Sequence, residues 1–259
     1  MASRSGIRNY RLSLNFFVTP AVQWLIIANV AVYIFEILLQ TFWGTSASIW
    51  FVGHFGLVPS AVFPGLRIWQ PLTYMFLHEE STIWHILSNM FMLYMFGREL
   101  ELAWGRDRFL QYYFLTGIGA GIINVIVKSV LFWGQRSDDV ATIGASGAIF
   151  GILIACAILF PDRQVTMLII PIKMSMRTFV IAMTVLEFLG TFGFGGDNIS
   201  HICHLGGMLV GYVYLRRGSF LYSVRNSVSD WKIQRNKKRF QVYMNKQKEP
   251  PSRPDRWVN

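Results

Sequence analysis

The sequence predicts an all-α, polytopic membrane protein: a six-transmembrane-helix bundle with a long, partly membrane-embedded loop between helices 1 and 2. Three observations predict it. Of 259 residues, 53% are hydrophobic and only 15% are charged, where a soluble domain carries about 25% charged residues. Runs of about 17 or more mainly apolar residues recur along the chain, long enough to cross a hydrocarbon core about 30 Å thick. A single helix satisfies its own backbone hydrogen bonds in lipid, so each run is expected to be helical.

The spans fall at about residues 21–40, 81–100, 108–131, 143–160, 165–190 and 199–215. Ahead of them, "MASRSGIRNYRLSLNFFVTP" lacks an apolar core followed by a small-residue cleavage site, so no cleavable signal peptide is expected. Residues 41–80 are rich in Trp, Phe, Gly and Pro. They are too polar to cross and too apolar to float free, and are expected in the outer interface, where Trp and Tyr anchor. The two cysteines, Cys156 and Cys203, both sit inside apolar runs, so no disulfide framework is implied.

Charge sets the orientation. Twelve of the 24 basic residues lie from Arg216 onward. With the N-terminus inside, that tail joins Arg4, Arg8, Arg11, Arg98, Arg106, Arg108, Arg163, Lys173 and Arg177 on the inner side, leaving only Arg67, Lys128 and Arg136 outside. The positive-inside rule then puts both termini in the cytoplasm. The net charge of +10 is thus a topology signal and a contact for anionic membrane lipids, not a nucleic-acid arm. The chain divides into a cytoplasmic N-terminal segment (1–20), a six-helix domain (21–216) and a basic cytoplasmic tail (217–259).

With this topology the second, fourth and sixth spans all run from outside to inside, so their N-terminal ends share one depth. His85 and Asn89 lie one turn apart at the start of the second, in "TIWHILSNMFMLYMFG". Ser146 opens the fourth, in "GASGAIFG", and His201 and His204 open the sixth, in "NISHICHLGGMLVGYVY". Ionisable residues inside a membrane are functional candidates by default. Gly147, Gly151 and Ala155 on the fourth span, and Gly207 and Gly211 on the sixth, are small residues at a spacing of four that let helix backbones approach closely.

Serine becomes a nucleophile when an imidazole takes its proton, and the oxyanion that follows needs fixed donors. Ser146 and His204 fit the first requirement; His85, Asn89 and the Ser146 N–H fit the second. Each residue also has an ordinary role: serine bonds back to its own helix, and histidine or asparagine bridges helices. A GxSG motif alone is weak, since the soluble nucleophile elbow needs a preceding strand. No acid stands obviously behind His204, Glu187 and Asp197 being possible interfacial residues, so a dyad is predicted. A metal on His201, Cys203 and His204 is disfavoured because no carboxylate joins them and Cys203 points elsewhere. No cofactor is expected. The sequon at 198–200 abuts the membrane and carries no weight.

The motifs "HILSN", "GASGAIFG" and "HLGGMLVG", in this order on the second, fourth and sixth spans, resemble the rhomboid family of intramembrane serine proteases, in its minimal six-helix bacterial form. The resemblance covers roughly residues 21–216. It implies Ser146 as nucleophile, His204 as general base, His85 and Asn89 as oxyanion donors, and Phe150 stacked on the base. It further implies transmembrane protein substrates, cut near the outer face after a small residue, and a bacterial inner-membrane location. One departure is visible: the loop carries Trp69-Gln70 where relatives have Trp-Arg, with Arg67 two residues earlier, which puts loop anchoring in doubt. A non-proteolytic rhomboid-like chaperone or pseudoprotease is the alternative; a small-solute transporter is disfavoured because no paired discontinuous helices appear.

Overall fold

A computed structural model of the chain describes residues 18–131, 140–166, 172–192 and 201–217. Two compact units divide the chain, Met1–Val213 and Tyr214–Asn259, and the architecture below belongs to the first. The apolar runs become helices. Helix α1 (Pro20–Trp43) begins with a proline at its first position, where the missing N–H is no loss, and ends at Gly44, whose φ is +81°. Its buried residues Ala21, Leu25, Asn29, Tyr33 and Glu36 follow one helical face, while Trp24, Ile27, Ile34 and Leu38 are exposed. An outer surface so apolar suits lipid and not water. The α1 start is clasped from a distance: the Ala21 and Val22 N–H groups donate to the two Glu101 carboxylate oxygens at 2.9 and 3.0 Å, satisfying orphan donors that a helix N-terminus leaves open.

The segment between α1 and the next long helix is folded. It contains α2 (Thr45–Phe55), α3 (Pro59–Val62), α4 (Gln70–Thr73) and a 3₁₀ turn, Tyr74–Phe76. Gln70 holds it together. Its buried side chain donates to the Gly53 and His54 carbonyls at 3.1 and 3.2 Å and accepts the Val58 N–H at 3.0 Å. Beside it the Arg67 guanidinium donates to the Gly53 carbonyl and the Trp69 indole to the His54 carbonyl, both at 2.9 Å. Trp69, Gln70 and Arg67 together therefore anchor the loop, and the doubt raised by the missing Trp-Arg pair is removed. Gln70→Ala would strand the Val58 N–H, worth about 1–3 kcal/mol when left buried and unpaired, and leave the Gly53 and His54 carbonyls only their Arg67 and Trp69 bonds. A melting temperature several degrees lower in detergent is the expected result.

After Thr82, whose hydroxyl caps the helix by accepting the Trp84 N–H, α5 (Ile83–Met92) passes through a π turn (Leu93–Gly97) into α6 (Arg98–Trp104). Helices α7 (Arg106–Leu131) and α8 (Ser146–Leu159) follow, then strands β1 (Gln164–Thr166) and β2 (Lys173–Ser175), α9 (Met176–Gly190) and α10 (residues 201–217). Among the described residues, two helices, Pro20–Trp43 and Arg106–Val130, are long and apolar enough to cross a membrane.

Two expected spans need correction. The described residues are mostly helical with one short two-stranded hairpin, and the span expected at 165–190 is helical only from Met176. Its first part is an antiparallel hairpin pairing Gln164 with Ser175, Val165 with Met174 and Thr166 with Lys173. The sequence has a proline at the seventh position of the expected span, Pro171, which lacks a backbone N–H and disfavours a helix through that part. The β-branched Val165 and Thr166 suit a strand, and Ser175 caps α9 by accepting the Thr178 N–H. The fourth helix likewise starts at Ser146, not at 143. Gly144 has a φ of +122°, which a helix does not accommodate.

Helix α8 lies at the centre. Residues Gly147–Leu153 are all buried, as expected of a helix apolar all round, and glycines let both neighbours press against it. A Cβ on Gly147 would meet Ala120 Cβ of α7 at 2.9 Å and the Tyr74 hydroxyl at 3.0 Å; one on Gly151 would meet Thr116 of α7 at 2.6 Å. From the other side, a Cβ on Gly207 of α10 would collide with the Gly147 carbonyl, and one on Gly211 would sit 3.3 Å from Gly151 Cα. Gly207 and Gly211 thus face Gly147 and Gly151, as the spacing predicts. The hydrogens of Gly147 and Gly151 themselves point toward α7, so α8 is held in a three-helix contact.

Candidate active site

The approach to Ser146 is pinned before α8 begins. Leu57 and Thr142 exchange two backbone hydrogen bonds, both 2.9 Å. The Thr142 hydroxyl accepts from Asn124 at 3.2 Å and Lys128 at 3.4 Å, both on α7. The Gly144 N–H then donates to the Tyr74 carbonyl at 2.9 Å. Together these contacts fix the backbone that delivers Ser146 to the first turn of α8. That turn receives no side-chain cap from Ala145, and its first N–H groups have no intrahelical carbonyl to bond. They are available to a developing anion.

Ser146 and His204 meet: Oγ and Nε2 are 2.7 Å apart. Phe150, one turn beyond the serine, stacks on the His204 ring at a centroid distance of 4.3 Å and an interplanar angle of 19°. Ser146 remains partly exposed while His204 is buried. His85 comes to the same place. A Cβ on Gly144 would lie 2.9 Å from His85 Nε2 and 3.7 Å from Ser146 Oγ, so the missing side chain leaves open the space between those two atoms. The His85 Nδ1 accepts the Glu79 N–H at 3.2 Å. In the neutral ring the hydrogen is then on Nε2, facing that space. Asn89 lies one turn further along α5, buried, with Nδ2 donating to the His85 carbonyl at 2.9 Å. An amide carries a second hydrogen beyond the one this bond uses.

The expectation that no acid stands behind His204 is overturned. Glu187, on α9, is buried, and its Oε2 lies 2.8 Å from His204 Nδ1 and 2.7 Å from His201 Nδ1. The argument against a metal on these histidines, that no carboxylate joins them, falls with it: Glu187, His201 and His204 form one cluster. Cys203 does point elsewhere, its Sγ lying 3.4 Å from the Tyr74 hydroxyl. Asp197 and the 198–200 sequon lie outside the described residues, as do the N-terminal arginines, Arg136 and the basic tail from residue 218.

The sequence offers Glu187 only as an interfacial acid, because it sits seventeen positions before His204 in a separate apolar run. A signal was present nonetheless: it is a carboxylate near the end of a span, and such residues rarely lack a polar partner. Gly144 was also missed as a determinant, since a sequence prints a glycine but not its φ.

Comparison with known proteins places the chain in a family. Residues 65–219 match the Rhomboid domain family. Rhomboid-like protein 11, chloroplastic, from Arabidopsis thaliana is 27% identical over 198 residues, covering 73% of this chain and 62% of the relative. Rhomboid-like protease 3 from Toxoplasma gondii is 24% identical over 192 residues, covering 74% and 66%. Rhomboid protein 1, mitochondrial, from Saccharomyces cerevisiae is 27% identical over 143 residues, covering 54% and 38%. The aligned regions therefore span between 38% and 66% of the lengths of these three relatives. With a Rhomboid domain over more than half its length, this chain belongs to the rhomboid family and is an integral membrane protein.

Proposed function

We propose that this protein is an intramembrane serine endopeptidase that cuts transmembrane segments of other membrane proteins. The observation that carries the reading is the 2.7 Å contact between Ser146 Oγ and His204 Nε2. In the reaction Ser146 Oγ attacks the scissile carbonyl carbon as its proton passes to His204 Nε2. The carbonyl oxygen becomes an oxyanion facing His85 Nε2–H, the Asn89 amide and the Ser146 N–H. His204 returns the proton to the leaving amine, giving an acyl-enzyme. Water, deprotonated by His204, then releases the new carboxyl terminus and restores Ser146. Phe150 holds the base ring flat against α8 throughout.

The topology belongs to the same proposal: six spans over residues 21–216, both termini cytoplasmic, and the 217–259 tail against anionic lipid, in a bacterial-type inner membrane. Helix α8 has 14 residues, and at 1.5 Å per residue it is about 21 Å long, shorter than a core of about 30 Å. On this topology its N-terminus lies below the outer surface, where substrate helices must unwind before their peptide bonds are accessible. Substrates with a small residue before the cut and a helix weakened by Gly, Pro or polar residues suit such a site.

The test is a fluorophosphonate probe on the purified full chain, which labels only an activated serine, paired with cleavage of a transmembrane substrate in proteoliposomes. Labelling that depends on Ser146 together with cleavage supports the proposal. An unlabelled, folded protein would instead be a non-proteolytic family member. For the oxyanion donors, removing one such group in soluble serine proteases costs about 3–4 kcal/mol of transition-state stabilisation. His85→Ala and Asn89→Ala should each slow turnover at saturating substrate by less than loss of Ser146 does. Unchanged rates in both variants would remove them from the mechanism.

A further inference from the structure

We propose that Glu187 is a positioning residue for His204, joining the general base to His201 through one shared carboxylate oxygen. The proposal rests on reading Ser146 and His204 as nucleophile and base. Its starting point is geometric: Glu187 Oε2 lies 2.7 Å from His201 Nδ1 and 2.8 Å from His204 Nδ1. A carboxylate offers acceptors only, and one of its oxygens has two lone pairs. Both Nδ1 atoms therefore carry hydrogens. For neutral His204 this leaves Nε2 as the bare nitrogen, and that nitrogen is the one 2.7 Å from Ser146 Oγ. The carboxylate thus holds His204 in the tautomer that takes a proton, and it faces the imidazolium that forms when the proton arrives. The opposite tautomer would point an N–H at the serine and could not act as base.

Two other readings of the same cluster fit less well. Zinc ligands at about 2.0–2.1 Å in a tetrahedron stand about 3.3 Å from one another. The contacts here are 2.7 and 2.8 Å, the length of a charge-assisted N–H···O bond, so a proton and not a metal ion fits between these atoms. A purely structural clasp between α9 and α10 would need no alignment with Ser146. Yet Glu187, the His204 ring and Ser146 form one continuous chain of contacts, with Phe150 closing the ring face. His201 explains how the carboxylate keeps its aim. Its second hydrogen bond restrains a side chain with three torsions, and it directs Glu187 without approaching the serine itself.

The experiment uses the full chain, purified in detergent and reconstituted with a cleavable transmembrane substrate. In a soluble serine protease, changing the triad acid to its amide lowers kcat by about 10⁴ through the wrong tautomer. Glu187→Gln is therefore expected to lower kcat by on the order of a hundredfold or more, with KM within about twofold, because substrate binding is untouched. Glu187→Asp, one methylene short, should recover about tenfold over Gln by still reaching one histidine. His201→Ala should cost less than Glu187→Gln and add nothing to it in the double variant, as residues acting through one group are not additive. The tautomer is read independently of any variant's folding: nitrogen-15 spectra of histidine-labelled wild-type protein, with the His204 signal assigned by His204→Gln, should show Nδ1–H. An Nε2–H tautomer overturns the proposal. So does a kcat within about threefold of wild type in Glu187→Gln, or a loss confined to melting temperature with kcat per folded molecule unchanged. Failure of the underlying reading looks different: turnover surviving in Ser146→Ala would remove the nucleophile, whereas an inactive Ser146→Ala beside a fully active Glu187→Gln removes only Glu187.

Discussion

Ser146→Ala and His204→Ala are each expected to abolish cleavage of a transmembrane substrate and to leave a folded protein. In a soluble serine protease, loss of either nucleophile or base lowers kcat by about 2 × 10⁶, and removing both costs little more, because neither works alone. The same non-additivity should hold here: the double variant should be no slower than either single one. Folding should survive in Ser146→Ala, since the hydroxyl is partly exposed and its contact is to His204, while alanine is a good residue in a helix. His204→Ala also loses the Phe150 stack, a contact worth about 0.5–1.5 kcal/mol beyond area burial, so a small drop in melting temperature should accompany it. Turnover and thermal melts on the same preparations check both halves. Wild-type turnover in purified Ser146→Ala would show that the nucleophile lies elsewhere. Comparable losses at His201 and His204, with Glu187→Gln unaffected, would mean that the two histidines share the role of base.

Gly207→Val should lower both stability and activity without touching a catalytic atom. A Cβ at Gly207 collides with the Gly147 carbonyl, which is backbone and cannot rotate away. The helices must then separate. Overpacking a tight core typically costs about 1–3 kcal/mol, and backbone against backbone belongs at the upper end. Separation also carries His204 away from Ser146, and a misplacement of about 1 Å can cost about a hundredfold in rate. The expected result is a melting temperature several degrees lower and turnover reduced by about two orders of magnitude in the protein that remains folded. A valine variant with full activity and an unshifted melt would place the α10 glycine face against lipid.

Much of this protein was legible in its sequence because the signals are local. Hydropathy marks the ends of α1 and α7 to within three residues, since the cost of exposing backbone to lipid acts on every residue of a span. The small-residue spacing on α8 and α10 predicted which faces meet, because only glycine permits that approach. The order of His85, Ser146 and His204 along the chain was enough to expect them at one depth. Local signals also misled. The apolar residues before Met176 read as helix on hydropathy alone, and the proline and β-branched residues that make them a hairpin were outweighed.

What the sequence by itself determined is the class of protein and the residue types of its candidate site: a membrane-embedded helical chain with a serine, three histidines and an asparagine at the starts of three apolar runs. Only the tertiary structure decided how those residues are paired. The Ser146–His204 contact joins positions 58 apart, and the Glu187–His204 contact joins positions 17 apart on different helices. Neither separation has a period that a one-dimensional pattern can carry. The same is true of Gln70, whose amide replaces an expected guanidinium by reaching three backbone groups 12 to 17 residues away. Helical periodicity fixes which side of a helix a residue occupies. The distance from one helix to the next is set by the glycines, carboxylates and amides that the fold places between them, and a hydrogen bond of 2.7 Å exists only once that distance is set.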